Sequence, residues 1–311
     1  MKIALLFPGQ GAQYVGMGKS LYDSYTWVRE LYDAASEICK KDMKKLCFFS
    51  DIDNLTKTNN AQISIFLNSY INYITLKKRY NLNIAYMAGH SLGEFTALAA
   101  AGVLSFEEML KLVKKRGEIM QSIAVKDSGS MLAVRADIDT VVNVRNKILE
   151  DHPQFSLEIS NYNSANQVVL SGNQKMIDIA ELEYNTQGVM TTRLKVGAAF
   201  HSKLMKEPSY EFNSYLQTLN LKQPQCRVIS NVTGRPYEDN IIEGLSKQMV
   251  STVQWYQTME YLEEQKVSAY IDLGPQKILK GLCKRNLRKQ VFSFEEDMAL
   301  FEKEIFEKFG L

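Results

Sequence analysis

The chain has 311 residues, 45% apolar and 23% charged, with 37 basic against 35 acidic side chains and a formal net charge of +2. This is the composition of a globular protein with a sizeable core, and the charge balance excludes a whole-surface field for nucleic acid or an anionic membrane. Cys39, Cys47, Cys226 and Cys283 are scattered with no CxxC pair, which argues against a zinc cluster or disulfide framework and for a reducing, cytoplasmic setting with no bound metal.

In chain order, KIALLF (2–7) is too short for the apolar region of a signal peptide and is read as a first strand. No stretch approaches the roughly 20 apolar residues of a membrane span. The glycine-rich PGQGAQYVGMG follows, then helical patterns over 18–40 and 61–80. NIAYMA (83–88) is a second buried strand, followed by helices over 91–101 and 105–122. The middle of the chain changes character: strand 130–136, helix 137–150, two strands joined by an Asn/Ser/Ala turn within FSLEISNYNSANQVVLSG, helix 174–187 and strand 189–196. That β-α-β-β-α-β order is the split unit of a ferredoxin-like domain. RVISNV (227–232), SAYIDL (268–273) and a helix over 276–289 complete the chain. Strands alternating with helices imply a mainly parallel sheet. The expectation is an α/β protein with a discontinuous large domain (1–126 and 197–311) and a small inserted domain (127–196).

Gly89-His90-Ser91-Leu92-Gly93 matches G-x-S-x-G between a predicted strand and a predicted helix. A sharp strand-to-helix turn admits only small residues beside the serine and lifts its hydroxyl to the sheet edge, where the helix N-terminus offers N–H groups to an oxyanion. The bland alternative is a serine N-cap opening an ordinary helix. A serine nucleophile needs a base, and the sequence holds three histidines. His90 is locked in the turn and His152 precedes Pro153 in a connection, which leaves His201 in GAAFHSKLM; its alternative is a cap for the following helix. No Asp or Glu stands in a convincing position to complete a triad, so a carbonyl or amide is the expected orienting group.

GMGKS resembles the end of a P-loop, but that motif needs glycine where Gln13 stands; Gly9-Gln10-Gly11 likewise fails G-x-G-x-x-G at Tyr14. What remains is a tight turn able to offer the Gln10 N–H as an oxyanion donor beside that of Leu92. Arg116 sits next to Gly117, where a helix can pack closely; a buried guanidinium there would bind a carboxylate through two hydrogen bonds. The alternative is a solvated helix face shared with Lys111, Lys114 and Lys115.

FPGQGAQ, GHSLGEFTAL, KKRGEIM, NYNSANQVVLSG, AAFHS and DLGPQKILKGLCKR together resemble the malonyl-CoA:acyl carrier protein transacylases and the related acyltransferase domains of polyketide synthases, in order and spacing from residue 7 to about 285. The resemblance implies a hydrolase-like large domain with a ferredoxin-like insert. It implies that Ser91 takes malonyl from the coenzyme A thioester with His201 as base, that Gln10 and Leu92 hold the oxyanion, and that Arg116 pairs with the free carboxylate of malonyl. The phosphopantetheine thiol of an acyl carrier protein then accepts the acyl group, with no bound cofactor.

The resemblance further implies that a main-chain carbonyl at Gln248 orients His201, and that His90, Asn161 and Asn163 line the pocket. Phe200, in AAFH, would leave little room for an α-methyl branch, a preference worth about 1–3 kcal/mol. Related acyl hydrolases that clear stalled carriers typically lack the arginine, so Arg116 favours transfer over that alternative. Ala12 and Phe200 lean toward a stand-alone enzyme supplying a polyketide synthase that lacks its own acyltransferase. Malonyl-CoA and the carrier protein are the expected partners of a monomer. Lys277, Lys280, Lys284 and Arg288 fall on one helical face that could dock an acidic carrier, or could be a solvated face over Ile278 and Leu282.

Overall fold

A computed structural model describes residues 2–124, 129–287 and 289–309. Among the described residues there are nine strands: β1 (Ile3–Phe7), β2 (Ile84–Gly89), β3 (Ser130–Arg135), β4 (Leu157–Ser164), β5 (Gln167–Gly172), β6 (Met190–Arg193), β7 (Arg227–Ile229), β8 (Ala269–Asp272) and β9 (Val291–Ser293). The chain divides into two compact units, Met1–Gly117 with Asn220–Ser230 and Met259–Leu311, and Glu118–Leu219 with Asn231–Thr258.

The first unit is built on a five-stranded sheet in the order β7-β2-β1-β8-β9, every pair parallel. Its middle strand β1 is buried along its whole length, as an unbroken apolar run in a strand covered on both faces requires. Phe7 and Gly89 are register partners in β1 and β2. The segments beginning at Pro8 and at His90 therefore leave the same end of the sheet side by side, and the carboxyl ends of parallel strands are where such sheets place their ligands.

Beside the sheet runs the 22-residue helix Thr58–Arg79, buried around most of its circumference although much of it is polar. Asn60, Ser64, Asn68 and Asn72 recur at four-residue steps and are all buried, so they form one polar stripe along a single helix face. A helix this buried normally carries apolar residues all round; here the stripe spends its polarity inside the protein, as in the Asn72 amide that donates to the Leu273 carbonyl at 3.0 Å.

In the second unit four strands form an antiparallel sheet in the order β4-β5-β3-β6. With helices Ile138–Asp151 and Gln174–Thr186 in the crossovers, this is the ferredoxin-like topology, the first strand lying between the third and fourth. Leu132, Val134, Val141, Leu157, Leu170 and Tyr184 are core residues of this unit, and the Tyr184 hydroxyl meets the Val141 carbonyl at 2.8 Å. The unit is wider than the 127–196 expected from sequence. Residues 231–258 join it because Val253 bridges to Asn161 of β4, with Tyr162 N–H donating to the Val253 carbonyl at 3.0 Å and Val253 N–H to the Ser160 carbonyl at 2.8 Å.

Several element boundaries differ from expectation. The helix expected over 18–40 is two, Lys19–Ser24 and Thr26–Cys39, parted by extended Tyr25. Short helices Met43–Phe49 and Ile52–Thr56 were missed; each is opened by an aspartate, Asp42 accepting from Lys45 N–H at 2.8 Å and Asp51 from Asn54 N–H at 2.7 Å. The expected helix 276–289 contracts to Ile278–Cys283, and Arg288 lies outside the described residues.

Candidate active site

Ser91 stands between β2 and the helix Leu92–Ala100 with φ 50° and ψ −104°, a sparsely populated conformation that costs about 1–3 kcal/mol and persists only where the surroundings enforce it. The flanking glycines enforce it. A Cβ on Gly89 would fall 1.9 Å from the Gly93 carbonyl carbon, and one on Gly93 would fall 1.9 Å from the Phe7 carbonyl oxygen. Ser91 occupies the N-cap position, yet its side chain makes no capping hydrogen bond. The ordinary N-cap alternative therefore lacks the side-chain bond that would define it.

That hydroxyl accepts a hydrogen bond from Arg116 Nη2 at 3.1 Å. Arg116 lies on the helix Phe106–Ala124 and is only 1% exposed. It reaches the site because that helix packs tightly on Thr58–Arg79; a Cβ on Gly117 would lie 3.1 Å from the Asn59 Cα. The guanidinium donates through Nη1 to Gln62 Oε1 at 2.8 Å and lies 5.1 Å from the centroid of the Phe95 ring. Burial pulls its pKa down to about 10, with buried Glu94 opposing the shift. It is still cationic at neutral pH. The solvated-face alternative for Arg116 fails on this burial.

The turn after β1 packs against the same structure. A Cβ on Gly9 would lie 2.5 Å from the His90 carbonyl oxygen, so the two turns touch along their backbones. Gln10 donates from Nε2 to Thr58 Oγ1 at 3.5 Å, Gly11 N–H donates to Gln13 Oε1 at 2.8 Å, and Gln13 Nε2 donates to Thr56 Oγ1 at 3.3 Å. These bonds tie the Gln10 loop to Thr56 and Thr58 and close it on Gln13. At the helix start, Gly93 N–H donates to the His90 carbonyl and Glu94 N–H to that of Ser91. Leu92 provides the first helical N–H, a position with no intrahelical partner. His90 is half-buried in the turn, its own N–H donating to the Phe7 carbonyl at 2.9 Å.

The second unit holds the remaining sequence-predicted residues. His201 has φ 56° and is 5% exposed, and its Nδ1 lies 2.9 Å from the main-chain carbonyl of Gln248. A carbonyl can only accept, so the proton is assigned to Nδ1 and Nε2 is left with a basic lone pair. Gln248 is the last residue of the helix Ile241–Gln248, whose terminal carbonyls lack intrahelical partners and carry partial negative charge that favours an imidazolium. The following 3₁₀ helix, Lys203–Met205, is capped by the Ser202 side chain, which displaces the capping alternative for His201. Phe200 is buried beside it in sequence. Asn161 is buried in β4, accepting from Ser160 Oγ at 2.7 Å. Asn163 is half-buried at a break in the β4–β5 register.

Sequence reasoning missed two residues, Gln62 and Glu94, which hold and electrostatically support Arg116. Of the lysines expected on the basic face, Lys277 pairs with Glu296 at 2.9 Å and Lys280 with Asp297. Among the described residues no group of three or more His, Cys, Asp or Glu could hold a metal ion, and no helix is long and apolar enough to cross a membrane.

The family model described as an acyl transferase domain matches residues 4–302. The chain is 35% identical over 292 residues to a malonyl CoA-acyl carrier protein transacylase of Bacillus subtilis, covering 93% of this chain and 91% of that one. It is 36% identical over 286 residues to a polyketide biosynthesis malonyl CoA-acyl carrier protein transacylase of Bacillus velezensis, covering 91% and 96%. Among solved structures, a malonyl CoA-acyl carrier protein transacylase from Clostridium perfringens superposes with a TM-score of 0.90 at 33% identity, covering 99% of this chain and 100% of that one.

Proposed function

Since this chain belongs to the acyl transferase domain family and is an acyltransferase, we propose that it moves malonyl from malonyl-CoA to the phosphopantetheine thiol of an acyl carrier protein through an ester on Ser91. The observation that carries the substrate choice is the buried Arg116 cation, 3.1 Å from the Ser91 hydroxyl. In malonyl a single methylene separates the carbonyl attacked by serine from the free carboxylate. A cation within hydrogen-bond reach of the nucleophile therefore matches the second charge of that acyl group, and a planar fork binds it through two bonds.

In the first half-reaction His201 Nε2 takes the proton of Ser91 as Oγ bonds to the thioester carbon. The oxyanion is held by the N–H groups of Gln10 and Leu92. As the C–S bond breaks, the imidazolium returns its proton to the coenzyme A thiolate. In the second half the carrier thiol gives its proton to His201 and its sulfur bonds to the acyl carbon; the ester C–O bond breaks, and Ser91 regains the proton. The Gln248 carbonyl keeps Nδ1 protonated throughout, and Phe200, His90, Asn161 and Asn163 shape the pocket. These steps draw on no metal or bound cofactor, and the setting is the cytoplasm. The relatives named above are transacylases, and the hydrolase alternative gains no support from them.

Intact-mass analysis tests the reading. Incubation with malonyl-CoA is expected to add one malonyl group to the wild type and none to Ser91→Ala. Addition of phosphopantetheinyl carrier protein is expected to remove it from the enzyme and place it on the carrier. Rapid discharge to water in place of the carrier would refute transfer.

A further inference from the structure

The helices Met43–Phe49 and Ile52–Thr56 form one side of a groove of about 650 Å³ in the first unit, whose lining includes Lys41, Lys45, Phe49, Lys57, Asn59 and Asn60. Phe49 is 66% exposed and its neighbour Ile52 50%, although an aromatic ring gains most when buried. Residues 40–57 carry five lysines, at 40, 41, 44, 45 and 57, against Asp42, Asp51 and Asp53. Asp42 and Asp51 also line the groove, but both carboxylates accept helix N-terminal N–H groups, where partial positive charge offsets theirs. The wall is braced from within: Lys41 Nζ donates to Asn60 Oδ1 at 2.5 Å, and Asn60 Nδ2 to the Asn54 carbonyl at 2.9 Å.

This groove adjoins the acyl site. Thr58, following Lys57, receives the Gln10 side chain; Asn59 packs against Gly117, next to Arg116. Gln62, which holds Arg116, is five residues beyond Lys57, about 7.5 Å of helix. By contrast, Lys277 and Lys280 of the C-terminal segment are already paired with Glu296 and Asp297.

We infer that the groove around Phe49, with Lys45 and Lys57 at its rim, docks the acidic carrier protein, Phe49 being the apolar anchor and the lysines the electrostatic guide. This inference rests on the carrier-loading reading above. An exposed apolar residue in a groove whose lysines outnumber its aspartates, the aspartates being engaged at helix N-termini, suits a partner helix that alternates acidic and apolar side chains: the buried ring supplies most of the affinity and the rim supplies encounter rate and register.

The test separates the two half-reactions in the full-length protein. Wild type, Lys45→Glu/Lys57→Glu and Phe49→Ser are assayed for acyl-enzyme formation from malonyl-CoA, discharge to free pantetheine, and discharge to phosphopantetheinyl carrier protein. Both variants are expected to form the adduct and discharge it to pantetheine at wild-type rates, while kcat/KM for the carrier falls about tenfold or more. The lysine variant is also expected to lose most of the salt dependence of carrier discharge, and a carrier with lysines in place of its acidic helix residues is expected to restore its rate. Unchanged carrier discharge overturns the inference, as does an equal loss of all three reactions. A wild type that takes no malonyl removes the reading on which the inference rests, and overturns it by that separate route.

Discussion

Replacing Arg116 by alanine removes a fully buried cation beside Ser91, and the loss can be sized in advance. A hydrogen bond to a charged group contributes about 1.5–3 kcal/mol, and the fork makes two. Truncating one partner of a buried hydrogen-bonded charge pair costs 2–5 kcal/mol. Taking about 3–5 kcal/mol, at 1.4 kcal/mol per factor of ten, kcat/KM for malonyl-CoA is expected to fall by about two to three and a half orders of magnitude. Acetyl-CoA presents no carboxylate; its transfer loses only the support that Arg116 gives Ser91, about 1 kcal/mol or fivefold to sixfold. The variant also leaves buried Glu94 without its neighbouring cation, so some protein will be unfolded. The quantity to read is therefore the malonyl-to-acetyl ratio of kcat/KM, in which an inactive fraction cancels. A collapse of that ratio by about a hundredfold is the expected result. Equal losses for both thioesters would refute the reasoning and make Arg116 a structural residue.

Three further outcomes follow from the geometry. His201→Ala is expected to lower the rate of acyl-enzyme formation by about 10²–10⁴-fold with its circular dichroism unchanged, measured by quenched-flow mass analysis; a loss under tenfold would point to another base. Gly93→Ala must displace the Phe7 carbonyl, which a Cβ would meet at 1.9 Å. It is expected to destabilise the fold by at least about 3 kcal/mol in denaturant titration, and wild-type stability would contradict the elbow geometry. Fully buried Asp272, at the end of β8, accepts N–H groups of Gly274 and Lys280, and burial raises its pKa to about 7. A carboxyl whose folded pKa exceeds its unfolded value near 3.9 contributes stability that is fully present below about pH 4 and lost as pH rises to about 7, up to about 4 kcal/mol. Asp272→Asn should flatten that part of the stability profile; parallel profiles for both proteins would show that Asp272 is ionised throughout.

The chain advertised its backbone unevenly. β1, β2 and the serine turn were legible because a continuous apolar run followed by closely spaced glycines has few other physical solutions. The switch from helical to alternating periodicity likewise disclosed the antiparallel sheet. The helices Met43–Phe49 and Ile52–Thr56 span too few turns for a periodic signal, and only their aspartate caps announced them. Charge misled in the opposite sense at 276–289, where lysines at helical spacing outran a helix of six residues. Gln62 escaped notice because polar residues are read as surface. The four-residue recurrence of Asn60, Ser64, Asn68 and Asn72 was the available sign that this helix buries polarity by design. The Gln248 carbonyl that meets His201 could not be read from side chains, since it is a main-chain oxygen whose position depends on where a helix stops; only the family resemblance pointed to it.

In the mechanism proposed above, that last arrangement bears on how the base is held in acid. A carboxylate behind the imidazole would carry its own proton equilibrium, and at low pH its protonation would cut the support for the base. A peptide oxygen has nothing to titrate over any pH the fold survives, so the brace behind His201 keeps the same strength in a neutral or an acidified cell. The residue at 248 meets His201 through a group every amino acid possesses, the main-chain carbonyl.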